Sequence, residues 1–170
     1  MLTEKYMDFS KLVVYQIYPR SFMDSNGDGI GDLRGVIEKL DYIKALGFTA
    51  VWITPVVENA SGYDYHGYHA RNFSKVDKRY ESDDVKFEDL ISAAHAKGMK
   101  IMVDVVLNHA GYDTTETFNT ILKDGEGNYI NMIRGEEETI PNDEKRDGLS
   151  GLPDFITENP EVRAQLIEWQ

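Results

Sequence analysis

Two rhythms of apolar residues recur along the chain. The first is a short, nearly continuous run: 12–18 (Leu-Val-Val-Tyr-Gln-Ile-Tyr) closed by Pro19, 48–54 (Phe-Thr-Ala-Val-Trp-Ile-Thr) closed by Pro55, and 98–109, where Ile101, Met102, Val103, Val105, Val106 and Leu107 follow Gly98. Runs of this kind predict strands, and the third reads as a strand buried on both faces of a parallel sheet. The second rhythm is helical. Leu33, Val36, Ile37, Leu40, Ile43 and Leu46 recur at steps of three and four, with Asp32 placed as N-cap and Gly47 as the stop. Phe87, Leu90, Ile91 and Ala94 mark another helix, ending at Gly98.

Between these elements, residues 56–81 predict a long aromatic and polar loop. After His109 the regularity fades, and Gly111, Gly125, Gly127, Gly135, Gly148 and Gly151 punctuate a polar stretch. A loop that long is usually functional or a small inserted subdomain. A helix restarts at Asn159-Pro160-Glu161 (N-cap, proline in the first turn, acid beside it), with Val162, Leu166, Ile167 and Trp169 on its apolar face. Strands alternating with helices predict an α/β fold, either doubly wound or a (β/α)8 barrel. In both, ligands bind beyond the C-terminal ends of the strands. Those ends carry 18–20, an acidic loop at 24–32, 54–58 and Asn108-His109.

Composition narrows the function. Among 170 residues, 41% are apolar and 28% charged, as in a soluble globular domain. The net charge of −12 disfavours nucleic acid and anionic membrane as partners. There is no cysteine, so neither disulfides nor thiolate ligands are available. No apolar run approaches a membrane span, and residues 1–10 show no signal-peptide pattern, which leaves a cytoplasmic protein and a secreted mature form both open.

The acidic loop has the look of a calcium site. Asp24, Asn26 and Asp28 alternate, so their oxygens can converge on one hard cation, with the Ile30 carbonyl and Asp32 completing the shell. It opens like an EF-hand loop but carries Gly35 where that motif needs glutamate. A surface turn rich in turn-forming residues is the plain alternative. The stretch 62–69 (Gly-Tyr-Asp-Tyr-His-Gly-Tyr-His) combines aromatic faces with hydrogen-bonding groups, which suits a sugar ring; the alternative is a loop packing its own tyrosines. His66, His69 and His109 match no trusted zinc spacing. Asp104 and His109 could be the base and acid of a hydrolase, although a lone strand carboxylate more often orients its neighbours. No nucleophile elbow or phosphate loop is present.

Taken together, these segments resemble glycoside hydrolase family 13, the α-amylase family, over nearly the whole chain. Segment 16–22 (Gln-Ile-Tyr-Pro-Arg-Ser-Phe) is similar to the family's first barrel strand, 47–55 to its second, and 104–109 (Asp-Val-Val-Leu-Asn-His) to the motif on its third. Leu152-Pro153-Asp154-Phe155 resembles the motif near the end of the inserted B domain. The resemblance implies the first three units of a (β/α)8 barrel over 1–109, a loop-rich B-domain insertion over 110–155, and the start of a returning helix over 156–170. It implies that Tyr68 stacks on the glucose ring next to the cleaved bond. His109, His66 and the neighbouring Tyr65 would contact that sugar, and Asp104 would support the catalytic centre. It also implies two Ca2+ sites, one in the loop of Asp24, Asn26, Asp28, Ile30 and Asp32, and one shared by Asn108 and Asp154. The Leu-Pro-Asp motif is closer to α-amylases, whereas the Asp-x-Asn-x-Asp loop is shared with oligo-1,6-glucosidases. His69 stands where fungal members commonly carry Trp.

The family hydrolyses α-glucans with two carboxylates from strands four and five. Neither segment occurs here, and a barrel typically takes about 250 residues. The chain is therefore expected to be an N-terminal portion of a retaining α-1,4-glucan hydrolase, inactive alone, whose partners are an α-glucan oligosaccharide and the remainder of the barrel. The alternatives are an oligo-1,6-glucosidase or cyclomaltodextrinase type of member, or a non-catalytic carbohydrate- or calcium-binding module. An open three-stranded sheet leaves unpaired edges, so the isolated piece is expected to self-associate.

Overall fold

In the computed structural model, residues 8–59, 66–135, 139–140, 144–145 and 151–170 are described. They fall into two units that interleave along the chain: Met1–Thr54 with Arg79–Asp104, and Pro55–Lys78 with Val105–Gln170.

The first unit is α/β. Strand β1 (Val14–Ile17) leads to a single turn of helix, α1 (Pro19–Phe22), then to helix α2 (Leu33–Ala45) and strand β2 (Ala50–Ile53). Helix α2 starts where predicted: the Asp32 side chain accepts the Gly35 N–H at 2.7 Å. Its buried face is Leu33, Val36, Leu40 and Ile43, the expected three-and-four spacing, and Gly47 ends it with φ +94°. Helix α3 (Phe87–Ala96) has its first turn closed by Asp89, which accepts the Lys86 N–H, and it precedes a third strand, Lys100–Val103.

All three strands are parallel and in register: Val14 faces Ala50 and Ala50 faces Lys100, continuing to Ile17, Ile53 and Val103. β2 lies in the middle, with Ala50, Val51 and Ile53 fully buried. The third strand departs from expectation. It ends at Val103 rather than continuing to residue 109, and Val103 is 41% exposed, with Val105 and Leu107 also open to solvent. The apolar run predicted a buried strand, but among the described residues it pairs with β2 alone and its end is open to solvent.

The second unit corrects the reading of 56–81 as loop. Val57–Asn59 (β3) and Ala70–Val76 (β4) form an antiparallel pair with register shifts on both sides of Glu58. Irregular pairing breaks the alternation that would announce a strand, which is why the pattern was not visible. With the strand Lys100–Val103 numbered β5 in chain order, the unit continues through α4 (Thr115–Phe118), short strands β6 (Thr139–Ile140) and β7 (Glu144–Lys145), and α5 (Pro160–Glu168). Asn159 caps α5 by accepting the Glu161 N–H. The core is aromatic: Phe118 is 2% exposed and meets Phe155 edge-on at 5.2 Å, while Trp169 stacks on Phe73 at 5.7 Å. Among the described residues, no helix is long and apolar enough to cross a membrane.

Candidate functional site: the Tyr68 turn and two oxygen-rich loops

The predicted residues divide between the units. Asp24, Asn26, Asp28, Ile30, Asp32 and Asp104 lie in the first, and His66, Tyr68, Asn108, His109 and Asp154 in the second. Tyr65 lies outside the described residues.

In the second unit, segment 153–155 runs between two others. Phe155 N–H donates to the Asn108 carbonyl and Ala110 N–H to the Pro153 carbonyl, each at 2.9 Å; on the other side Arg134 N–H donates to the Asp154 carbonyl at 2.9 Å. His109 and Asp154 form an antiparallel bridge. Residues far apart in sequence, Asn108 and Asp154, thereby lie on two bridged segments. Arg134, which the sequence did not single out, is buried here and ion-paired with Glu158, whose carboxyl it holds below the usual range.

The turn 66–69 carries Tyr68. Gly67 makes it possible: φ is +84°, and a Cβ there would sit well inside the 3.0 Å that such atoms keep from the Pro55 carbonyl oxygen. Tyr68 N–H donates to His66 Nδ1 at 3.0 Å, and His109 Nε2 meets the Tyr68 carbonyl at 3.2 Å. Because a carbonyl only accepts, His109 carries its proton on Nε2 in that bond. Burial pushes the His109 imidazole below its ordinary pKa; the Tyr68 carbonyl and Asp154 act the other way, and His69 adds to the lowering. His109 is thus a neutral donor near neutral pH, engaged with the backbone of the tyrosine it was expected to flank. His69 is buried and edge-on to both His66, at 4.4 Å, and Tyr112, at 5.2 Å. Asn59, another residue the sequence did not reveal, ties the turn to β3.

The acidic loop satisfies itself. Asp24 accepts N–H bonds from Asn26, Gly27 and Gly29; those from Gly29 and Gly27 chiefly hold its carboxyl below the usual range. Asp28 accepts from Ile30, and Asp32 from Ser25 as well as Gly35. The donor set is entirely oxygen, as a hard cation requires. Among the described residues, however, no group of three or more His, Asp or Glu gathers as a metal centre. Gly35 cannot be the missing EF-hand glutamate, because any Cβ there would run into the Met23 carbonyl. Asp104, at the end of β5, donates its N–H to the Ile53 carbonyl at 2.9 Å and is half-buried.

Comparison with known proteins decides the family. The model of the alpha-amylase catalytic domain matches residues 16–170. The chain belongs to the alpha-amylase family. An oligo-1,6-glucosidase of Heyndrickxia coagulans is 52% identical over 101 residues, covering 59% of this chain and 18% of that protein. A beta/alpha-amylase of Paenibacillus polymyxa is 38% identical over 153 residues, 82% of this chain and 12% of that protein. An Anoxybacillus alpha-amylase crystal structure superposes with a TM-score of 0.74 at 33% identity, covering 93% of this chain and 37% of that one. The chain thus spans under a fifth of the length of these two curated relatives. The family is one of glycoside hydrolases, and its structures support the α/β fold.

Proposed function

We propose that this chain is the N-terminal portion of a retaining glycoside hydrolase acting on α-glucans, comprising the first three β/α units of the barrel and part of the B domain. The family match over 16–170 carries the reading, because it takes in every segment quoted above. In this reading Tyr68 is the platform for a glucose ring, which suits an aromatic face against the apolar face of a sugar. His66, Tyr65 and His109 flank it, and Asp104 supports the catalytic centre from β5. The two catalytic carboxylates and the remaining strands belong to the part of the relatives that this chain does not span.

Two linkage preferences have specific support. The α-1,4 reading draws on the Leu-Pro-Asp motif at 152–154 and on the likeness to alpha-amylase structures. The α-1,6 reading draws on the acidic loop and on oligo-1,6-glucosidases at 49–52% identity. Comparing maltotriose with isomaltotriose binding to the chain by calorimetry discriminates them. Tighter maltotriose binding supports α-1,4, the reverse supports α-1,6, and binding of neither sinks the platform reading. The purified chain is expected to release no reducing sugar from soluble starch; turnover that survives repurification would refute the assignment of the acid and nucleophile to other segments.

We further propose Ca2+ as the cofactor, held by oxygens of Asp24, Asn26, Asp28, Ile30 and Asp32 in one loop and shared by Asn108 and Asp154 in the other. A bound cation would supply structural cross-linking rather than chemistry. Calcium titration followed by melting temperature tests it: Asp24→Ala should abolish the first-loop increment and Asp154→Ala the second.

A further inference from the structure

We propose that Asn59 is the positioning residue that holds the Tyr68 platform in place; this rests on the reading of Tyr68 as a sugar platform. Among the described residues, hydrogen bonds from four polar atoms of His66, His109 and Asn59 and the turn's own amides hold the backbone around Tyr68. Two involve ring nitrogens, His66 Nδ1 on the Tyr68 N–H and His109 Nε2 on its carbonyl. The other two belong to one side chain. Asn59 Nδ2 donates to the Gly67 carbonyl at 3.2 Å, and Asn59 Oδ1 accepts the His69 N–H at 2.9 Å. The peptide groups before and after Tyr68 are therefore bridged by a single planar amide.

The clamp is itself held. Asn59 is 6% exposed, its Nδ2 also donates to the Val57 carbonyl at 2.7 Å, and its own N–H donates to Asp77 Oδ2 at 3.3 Å. Asp77 is buried and its N–H donates to the Val56 carbonyl, so the amide is anchored on the β3–β4 pair. Only an amide side chain offers a donor pair and an acceptor on one rigid plane. A carboxylate keeps the acceptor and loses the donors, an aliphatic residue loses both, and glutamine is longer by a methylene in a closed space. Gly67 lets the backbone take φ +84° against the Pro55 carbonyl, and the hydrogen bonds on both flanking peptide groups then fix the point from which the Tyr68 ring projects. A sugar platform must be rigid before the sugar arrives, since ordering it on binding would weaken affinity.

The experiment uses the full chain with Asn59→Ala, Asn59→Asp and, as reference, Tyr68→Ala. Amide exchange at Tyr68 and His69 is measured without sugar, with Phe118 and Ile133 as core controls, and maltotriose affinity is measured alongside. Asn59→Ala should speed exchange at His69 by about 10- to 100-fold, the size expected when a buried donor loses its acceptor. Exchange at Phe118 and Ile133 should stay unchanged. Asn59→Asp keeps the acceptor for the His69 N–H but sets an oxygen against the Val57 and Gly67 carbonyls, so His69 should exchange faster than in the parent yet stay better protected than in Asn59→Ala, an order that a general loss of structure would not give. Maltotriose affinity should fall by about 10-fold in Asn59→Ala, as expected when a rigid contact must be ordered on binding. If Asn59→Ala leaves His69 exchange unchanged, or unfolds the core along with the turn while Asn59→Asp also loses His69 protection, the clamp is refuted. If the clamp behaves as stated but neither Asn59→Ala nor Tyr68→Ala alters maltotriose binding, the platform reading fails, and the positioning role with it.

Discussion

Gly67→Ala tests the turn from the backbone side. Two costs add at this position. At φ +84°, a side chain puts its Cβ against the following carbonyl, which costs about 1–2 kcal/mol. The new Cβ also meets the Pro55 carbonyl inside the 3.0 Å that real Cβ atoms respect, and backbone rather than a flexible side chain must move. Overpacking of this kind costs about 1–3 kcal/mol. The expected destabilisation of the second unit is therefore roughly 2–5 kcal/mol. The chain has two tryptophans, Trp52 in the first unit and Trp169 in the second, so a Trp52→Phe background leaves Trp169 fluorescence to report the second unit alone. Gly127→Ala is the internal control: its φ is +91°, but nothing lies within 4 Å of the new Cβ. It should cost only the conformational part, about 1–2 kcal/mol. Urea midpoints for the two variants that coincide would refute the claim that the Pro55 contact, rather than φ, dictates glycine at 67.

Three further outcomes are expected. Phe118→Ala removes the buried centre of the aromatic core and should cost about 3–5 kcal/mol in the Trp169-monitored urea transition; a loss under about 1 kcal/mol would show that Trp169 and Phe155 collapse into the gap. Asp32→Ala removes the N-cap of α2, a change worth about 0.5–2 kcal/mol, and should lower the melting temperature seen through Trp52. An unchanged melt would mean that water replaces the cap. His109 has its folded pKa below the unfolded value of about 6.5, so the unfolded chain binds more protons between the two. Its contribution to stability is complete above the unfolded pKa and is lost as pH falls through that window. The urea midpoint of the second unit should therefore drop from pH 7.5 to 5, with a shallower drop in His109→Gln; equal slopes would assign the effect to other groups.

The exposed edge of β5 bears on handling the chain. Val103 is exposed at the end of a strand that, among the described residues, pairs on one side alone, the arrangement that invites pairing with another chain.

Much was legible from one dimension because it rests on local chemistry. The caps Asp32 and Asn159, the stops at Gly47 and Gly98, the face of α2 and the alternation β1, α2, β2, α3, β5 all follow from residue spacing over a few turns. The family motifs were legible for the same reason: they are contiguous. Tertiary structure decided what depends on distant pairing. Nothing near Val57 or Ala70 announces that they join in a bulged hairpin, because irregular register erases the period-two signal. Nothing in the run 98–109 tells how many neighbours its strand has; apolar content is the same for a central strand and an edge strand. Asn59 is one polar residue after a short apolar stretch until folding brings Gly67 and His69 to its two ends. The acidic residues at 24–32 announced a hard-cation donor set, but that the same carboxylates also accept the loop's own amides, and so shape the loop, is set by distances that only the fold supplies. Spacing along the chain states which groups are available; only the fold states which of them meet.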